Sequence, residues 1–139
     1  MYNNFIEYYN YAVMQEIPLM TTVLYIEDDL ANIELIRRYV SAIECQLLEA
    51  TDGGSGITSA VDALPDLILL DIYLPDINGL EVAEQLKAIP ELAHIPVVAL
   101  TTDDSIELRQ ECFARDFADV LHKPVRPQHL LSVIEQMTA

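Results

Sequence analysis

The sequence predicts an α/β domain built on a five-stranded parallel sheet, and three observations carry that reading. Five apolar runs, at about 22–27, 46–50, 66–71, 95–101 and 118–122, alternate with five amphipathic stretches, at about 30–44, 54–64, 79–88, 104–115 and 127–137. Strand-then-helix repeated with short links makes βαβ units, and these give parallel strands covered by helices on both faces. The third and fourth runs are almost continuously apolar, as doubly covered strands should be. Finally, Glu27-Asp28-Asp29, Asp71, Thr101 and Lys123 each stand at the carboxyl end of a run. That is where open α/β sheets bind their ligands.

The elements follow in order. Thr22-Val23-Leu24-Tyr25-Ile26 is the first strand and runs into the acidic cluster. In the helix after it, Ile33, Ile36, Tyr39-Val40 and Ile43 recur at helical spacing, with Arg37 and Arg38 off that stripe. Thr51-Asp52-Gly53-Gly54 ends the second strand and opens a helix. Asp66-Leu67-Ile68-Leu69-Leu70 leads to Asp71, and Pro75-Asp76-Ile77-Asn78-Gly79 is the turn before the third helix. Ile95-Pro96-Val97-Val98-Ala99-Leu100 closes on Thr101, and Ala118-Asp119-Val120-Leu121-His122 on Lys123. Pro90, Pro96, Pro124 and Pro127 fall in links or at element starts, where a missing N–H is tolerated.

Residues 1–20 read as an N-terminal extension and 21–139 as one domain. Four of the seven tyrosines lie in the first 11 positions, with Phe5 and Ile6. Asn4 could cap a short helix carrying Phe5, Tyr8-Tyr9 and Ala12-Val13, stopped by Pro18. Such a segment could pack on the domain, pair with another subunit or stay mobile, and Met20 could equally be the translation start.

Composition narrows the function classes. With 139 residues, 52% of them hydrophobic, the chain can bury a core. A formal charge of −16 argues against nucleic acid as a direct ligand, since that binding needs Lys and Arg to replace phosphate counterions. No run of about 18 apolar residues suggests membrane insertion, and Met1-Tyr2-Asn3-Asn4 lacks the basic start of a secretory signal. Cys45 and Cys112 have neither metal nor redox spacing and read as reduced thiols of a cytoplasmic protein. His94, His122 and His129 are scattered and read as surface residues.

The cluster at the strand ends suits phosphoryl chemistry. Magnesium is a hard cation that takes oxygen ligands. Asp29, Asp71 and a backbone carbonyl just after Asp71 would supply three, with Asp28 or Glu27 orienting a bound water. Asp71 would be the nucleophile, and Lys123 and Thr101 would hold phosphoryl oxygens and neutralise developing charge. Ending a buried strand on an unpaired carboxylate is costly, which favours a functional Asp71 over a surface one.

From about Thr22 to Ala139 the chain resembles the receiver domain of two-component response regulators. Tyr25-Ile26-Glu27-Asp28-Asp29 matches that family's acidic first-strand end. The segment from Leu69 to Gly79 matches its phosphoacceptor strand and turn, Val98-Ala99-Leu100-Thr101-Thr102 its switch hydroxyl, and His122-Lys123-Pro124 its lysine and cis proline. The spacings, 30 residues from Asp71 to Thr101 and 22 from Thr101 to Lys123, are typical of it. The resemblance implies a flavodoxin-like, doubly wound sheet of order 2-1-3-4-5. It also implies that Asp71 accepts a phosphoryl group from the phosphohistidine of a histidine kinase or phosphotransfer protein. Magnesium (or manganese) would sit on Asp28, Asp29, Asp71 and the Tyr73 carbonyl, Lys123 would pair with the acceptor, and Thr101 would move inward.

Two positions depart from the family's commonest pattern. Val120 stands where an aromatic switch residue is usual, and Asp116 where Gly is usual. The Tyr73 ring would overhang the site. Because Ala139 lies about one helix after Lys123, a stand-alone receiver is expected, acting by contact with a downstream protein or by onward phosphoryl transfer, with a homodimer possible. Such a chain is a signalling phosphoacceptor rather than an enzyme, beyond catalysing its own phosphorylation and dephosphorylation. A dehalogenase-type phosphatase would want an Asp where Tyr73 stands, and a flavodoxin would not place Glu27-Asp28-Asp29 against its phosphate. A phosphorylation-independent interaction module on the same fold is the remaining alternative, favoured by Val120 alone.

Overall fold

The computed structural model describes residues 20–139 together with Asn4, Ile6, Glu7 and Asn10. Five strands alternate with five helices: β1 (Thr21–Ile26), α1 (Leu30–Val40), β2 (Cys45–Ala50), α2 (Gly53–Ala63), β3 (Leu67–Asp71), α3 (Gly79–Ala88), β4 (Val97–Thr101), α4 (Ile106–Ala114), β5 (Asp119–His122) and α5 (Pro127–Thr138). The strands form one parallel sheet in the order β2-β1-β3-β4-β5, as the resemblance implied.

Alternation along each strand divides the core in two. Val23, Tyr25, Leu67, Leu69, Val98 and Leu100 meet Ile33 and Ile36 of α1 and Leu130 and Val133 of α5. Leu24, Ile26, Ile68, Leu70, Val97 and Ala99 meet Ala60 of α2, Val82 and Leu86 of α3, and Leu108 and Cys112 of α4. Every residue of β3 and β4 is buried, which is why neither strand shows polar alternation.

Boundaries differ from the sequence reading where backbone chemistry intervenes. The first helix ends at Val40, four residues short of the expected 44. Ser41 Oγ donates to the Arg38 carbonyl, and the Ala42 and Ile43 N–H groups bond three residues back, so the chain tightens into a turn before β2. Pairing in β4 starts at Val97, because Pro96 has no N–H; its carbonyl still accepts from Ile68 N. Asp66 stands before β3 and holds Thr22, its Oδ2 accepting from Thr22 N at 2.8 Å. Asn4 Oδ1 accepts from Glu7 N at 2.9 Å, as a cap would, and Ile6, Glu7 and Asn10 are helical; Phe5, Tyr8-Tyr9, Ala12-Val13 and Pro18 of the expected helix lie outside the described residues.

Helices α1 to α4 each begin on a side chain that accepts a backbone N–H, from Asp29, Asp52, Asn78 and Ser105 respectively. Two non-glycine residues have positive φ, Leu64 at 48° and Asp116 at 64°. Asp116 is the position where the related family usually has Gly, and its left-handed backbone explains that preference; Asp is among the few other residues that adopt it readily. Leu64 closes α2 with its side chain 55% exposed, so it gains little packing for the same strain. Leu64→Gly should therefore stabilise the fold by about 1 kcal/mol in urea unfolding. A loss of stability would show that the side chain packs to more effect than its exposure suggests.

Candidate functional site

Sheet register brings four side chains to one edge. Ile26 pairs with Leu70, Asp71 with Leu100, and Thr101 with His122. Two further backbone bonds carry the order past the strand ends: Glu27 N donates to Ala50 O at 2.9 Å, and Lys123 N to Thr101 O at 2.8 Å. Glu27, Asp71, Thr101 and Lys123 thus stand in a row at the carboxyl ends of the strands.

Their chemistry is dominated by two buried carboxylates and one ammonium. Glu27 is 1% exposed and Asp71 6%. Lys123 Nζ lies 2.5 Å from Glu27 Oε1 and 3.5 Å from Asp71 Oδ1. The buried Tyr25 hydroxyl donates to the same Glu27 oxygen at 2.9 Å. The other, Glu27 Oε2, is buried without a hydrogen-bond partner. Burial, followed by the contact with Glu27, pushes Asp71 up to about 7, against the pull of Lys123. Burial works against the Glu27 carboxylate as well, yet the neighbouring Asp71 carboxyl, hydrogen bonds from Lys123 and Tyr25 and the Lys123 charge hold it below the ordinary glutamate range. One proton between the two carboxyls, residing on Asp71, accounts for both directions. Burial and then the Glu27 charge push the Tyr25 phenol far up, so it stays a donor.

The acidic cluster sits one residue earlier than the sequence reading placed it. Carboxylate oxygens of Glu27, Asp28 and Asp71 all lie within 4.8 Å of one another. Asp29 belongs to α1 instead, its Oδ1 accepting from Ala31 N at 2.9 Å. The physical reason is the point at which β1 stops. Glu27 follows Ile26 directly and keeps the strand's alternation, on the side of Tyr25, whereas by Asp29 the chain is entering a helix. Tyr25 and Glu27 are the site residues that sequence reasoning undervalued, and their spacing of two along a strand was the available signal.

The loops around this edge are held tightly. Gly79 N donates to Ile72 O at 2.7 Å, and a Cβ there would lie 2.4 Å from Asp71 O, so α3 can begin this close only on Gly. Asp76 accepts from Gly53 N at 2.8 Å and Gly54 N at 2.9 Å, tying the loop after β3 to the start of α2. Thr101 is 1% exposed and its Oγ1 accepts from Asp103 N at 3.1 Å. Across the mouth, the Tyr73 hydroxyl donates to Asp103 Oδ2 at 2.9 Å, while Asp103 Oδ1 accepts from Ser105 N. The overhang expected of Tyr73 is thus tied to the loop after β4. Val120, paired with Ala99, is half-buried beside a cavity of about 100 Å³ that Thr101, Ser105 and Arg109 also line.

A parallel doubly wound sheet with acidic residues, a hydroxyl and a lysine on its carboxyl edge defines a phosphoacceptor class of signalling domain. The family model described as the response regulator receiver domain matches residues 23–135, and the chain belongs to that family. It is 32% identical over 116 residues to the response regulator PleD of Caulobacter vibrioides, covering 84% of this chain and 26% of PleD. It is 40% identical over 80 residues to the polar-differentiation response regulator DivK of Brucella anthropi, covering 58% of this chain and 65% of DivK. The chain therefore spans less than two thirds of either relative. Among solved structures, the Mn(2+)-bound form of the response regulator Rcp1 superposes with a TM-score of 0.70 at 26% identity, covering 84% of this chain and 91% of that one. Among the described residues no helix is long and apolar enough to cross a membrane.

The strained carboxyl pair has a consequence for stability. Because the folded-state pKa of Asp71 is raised above its unfolded value, the folded chain holds the extra proton more tightly, and stability falls as pH rises through about 7. In metal-free buffer, Asp71→Asn should remove that slope and stabilise the fold above neutral pH by on the order of 2 kcal/mol. Urea unfolding across the pH range measures it, and an Asn variant less stable than the parent at high pH would contradict the assignment.

Proposed function

We propose that the chain is a phosphoryl-controlled binding switch in which Asp71 accepts a phosphoryl group from the phosphohistidine of a histidine kinase or a histidine phosphotransfer protein. The observation that carries this reading is the burial of Asp71 at the end of β3, 3.5 Å from Lys123 and beside the partnerless Glu27 oxygen. A hard divalent cation, magnesium or manganese, fits three converging carboxylates that leave a buried oxygen unsatisfied. The residues we assign to it are Asp28 and Asp71 with the Tyr73 carbonyl, and Glu27 directly or through water; that the similar Rcp1 has a manganese-bound form supports a divalent cation as the ligand. Bound there, the cation would offset the mutual repulsion of the carboxylates.

The chain's own groups then do the following. An Asp71 oxygen supplies the electron pair for a new P–O bond while the P–N bond breaks toward the departing imidazole. Lys123 gives up Asp71 for a phosphoryl oxygen, and the Thr101 hydroxyl turns toward another, since a charge-assisted hydrogen bond outweighs a neutral one. Thr101 leaves Asp103 N in doing so, and the segment 102–105 that caps α4 follows. Val120 is short and stiff at its first torsion, so the backbone after Thr101 carries the signal instead of a swinging ring. Downstream contacts fall on that segment and β5, whether the output is protein binding or onward transfer. The cytoplasm is the compartment we assign. The intact Asp71, Thr101 and Lys123 disfavour a phosphorylation-independent module.

Acetyl phosphate with magnesium should add one phosphoryl group, read by intact mass, and Asp71→Asn should accept none. Undiminished labelling of the variant would overturn the assignment.

A further inference from the structure

Position 25 carries a polar group where the core asks for none. Val23 pairs with Leu67 and Tyr25 with Leu69, and these side chains pack with Ile33 and Ile36 of α1. Tyr25 is 1% exposed, so its hydroxyl has left water and has to be bonded inside. Among the described residues its partner is Glu27 Oε1, at 2.9 Å. Glu27 is thereby loaded on one side. Oε1 accepts from both Tyr25 and Lys123, while Oε2 is buried with no partner. The last torsion of a glutamate is soft and roughly two-fold, so hydrogen bonds, not rotamer preference, set how its carboxylate faces. Lys123 alone fixes it weakly, because an ammonium on a flexible stem can follow a turning carboxylate. The phenol cannot follow. Its ring is held among core side chains, and β1 places its oxygen two residues before Glu27 on the same face.

We propose that Tyr25 is a positioning residue for the cation site. Its hydroxyl holds Glu27 Oε1 and so keeps Oε2, the oxygen with free lone pairs, open to a divalent cation shared with Asp28 and Asp71. The phenol also stays on Oε1 when Lys123 moves. Lys123 lies closer to Glu27 than to Asp71, at 2.5 Å against 3.5 Å, so reaching a phosphoryl oxygen on Asp71 loosens its hold on Glu27. Without the phenol, that motion would strip a buried carboxylate of its remaining donor. The inference rests on the reading of Asp71 and its cation given above, and adds to it a residue that acts only through Glu27.

The test is Tyr25→Phe, which keeps the ring and its packing and removes only the donor. Magnesium titrated calorimetrically into the full chain, well below its unfolding temperature, should bind this variant about tenfold more weakly than the parent. A merely structural hydroxyl would lower the unfolding midpoint and leave the affinity of the folded chain as it was, so equal affinity overturns the proposal. The same substitution is then made in a Glu27→Gln background. There it should change magnesium affinity by less than about twofold, because its effect passes through Glu27. A tenfold loss in that background too would mean a general loosening of the strand end, and would also overturn the proposal. At saturating magnesium, acetyl phosphate should label Tyr25→Phe at least about tenfold more slowly than the parent, since Lys123 is then the remaining donor to Glu27. Labelling at the parent's rate contradicts the role of the phenol in freeing Lys123. A parent chain that binds no magnesium or takes no phosphoryl group contradicts the reading of the site, and the proposal with it. A parent that does both, beside an unaltered Tyr25→Phe, contradicts the positioning role alone.

Discussion

Two buried carboxylates compete for one lysine, and the rest of the site follows from that imbalance. Lys123 satisfies Glu27 at 2.5 Å and reaches Asp71 only at 3.5 Å. Burying an ion pair already costs more in desolvation than it commonly returns, and a second carboxylate in the same place makes the balance worse. The chain tolerates this in two ways that the structure displays. Tyr25 adds a donor to Glu27, and Asp71 is pushed toward its protonated form. The partnerless Glu27 oxygen is what remains unsolved, and further positive charge is what would solve it.

The scaffold keeps that strained group in place. Backbone bonds beyond the strand ends fix Glu27 and Lys123, Gly79 lets α3 press against the Asp71 backbone, and Asp76 ties the intervening loop to α2. On the other side, Thr101 and Asp103 link the end of β4 to the head of α4, and Tyr73 bridges the two loops. A change of charge at Asp71 therefore meets a rigid floor below and a hydrogen-bonded strap above. On the proposed reading, the strap and the α4 it caps are the parts such a change would move.

Most of the fold was legible because burial on both faces leaves a plain mark, as in Leu67-Ile68-Leu69-Leu70 and Val97-Val98-Ala99-Leu100. Asp71 and Thr101 stood out for the same reason, each being the first polar group after an apolar run, whereas Lys123 follows His122 and stood out only by its place at a strand end before Pro124. The acidic cluster was not, since three consecutive acids give no composition signal for which one continues β1 and which caps α1. Only the helix start at Leu30 decides, and it makes Asp29 a cap. The early end of α1 came from turn hydrogen bonds that hydrophobic spacing does not report. The Tyr73–Asp103 bond joins loops 30 residues apart and needs the folded register of β3 and β4 to be seen.

The central proposal is that the exposed Asp28 carboxylate, with the buried Asp71 and Glu27, forms a cation site that leaves Asp29 outside it. Calorimetric titration of magnesium into the Asp28→Ala and Asp29→Ala variants tests this directly. The account predicts that Asp28→Ala weakens binding by at least about tenfold, as loss of a direct carboxylate ligand should. It predicts that Asp29→Ala leaves the affinity nearly unchanged and instead costs about 1 kcal/mol of folding stability, as loss of a helix cap should. The opposite order, with magnesium affinity lost in Asp29→Ala and kept in Asp28→Ala, would contradict it.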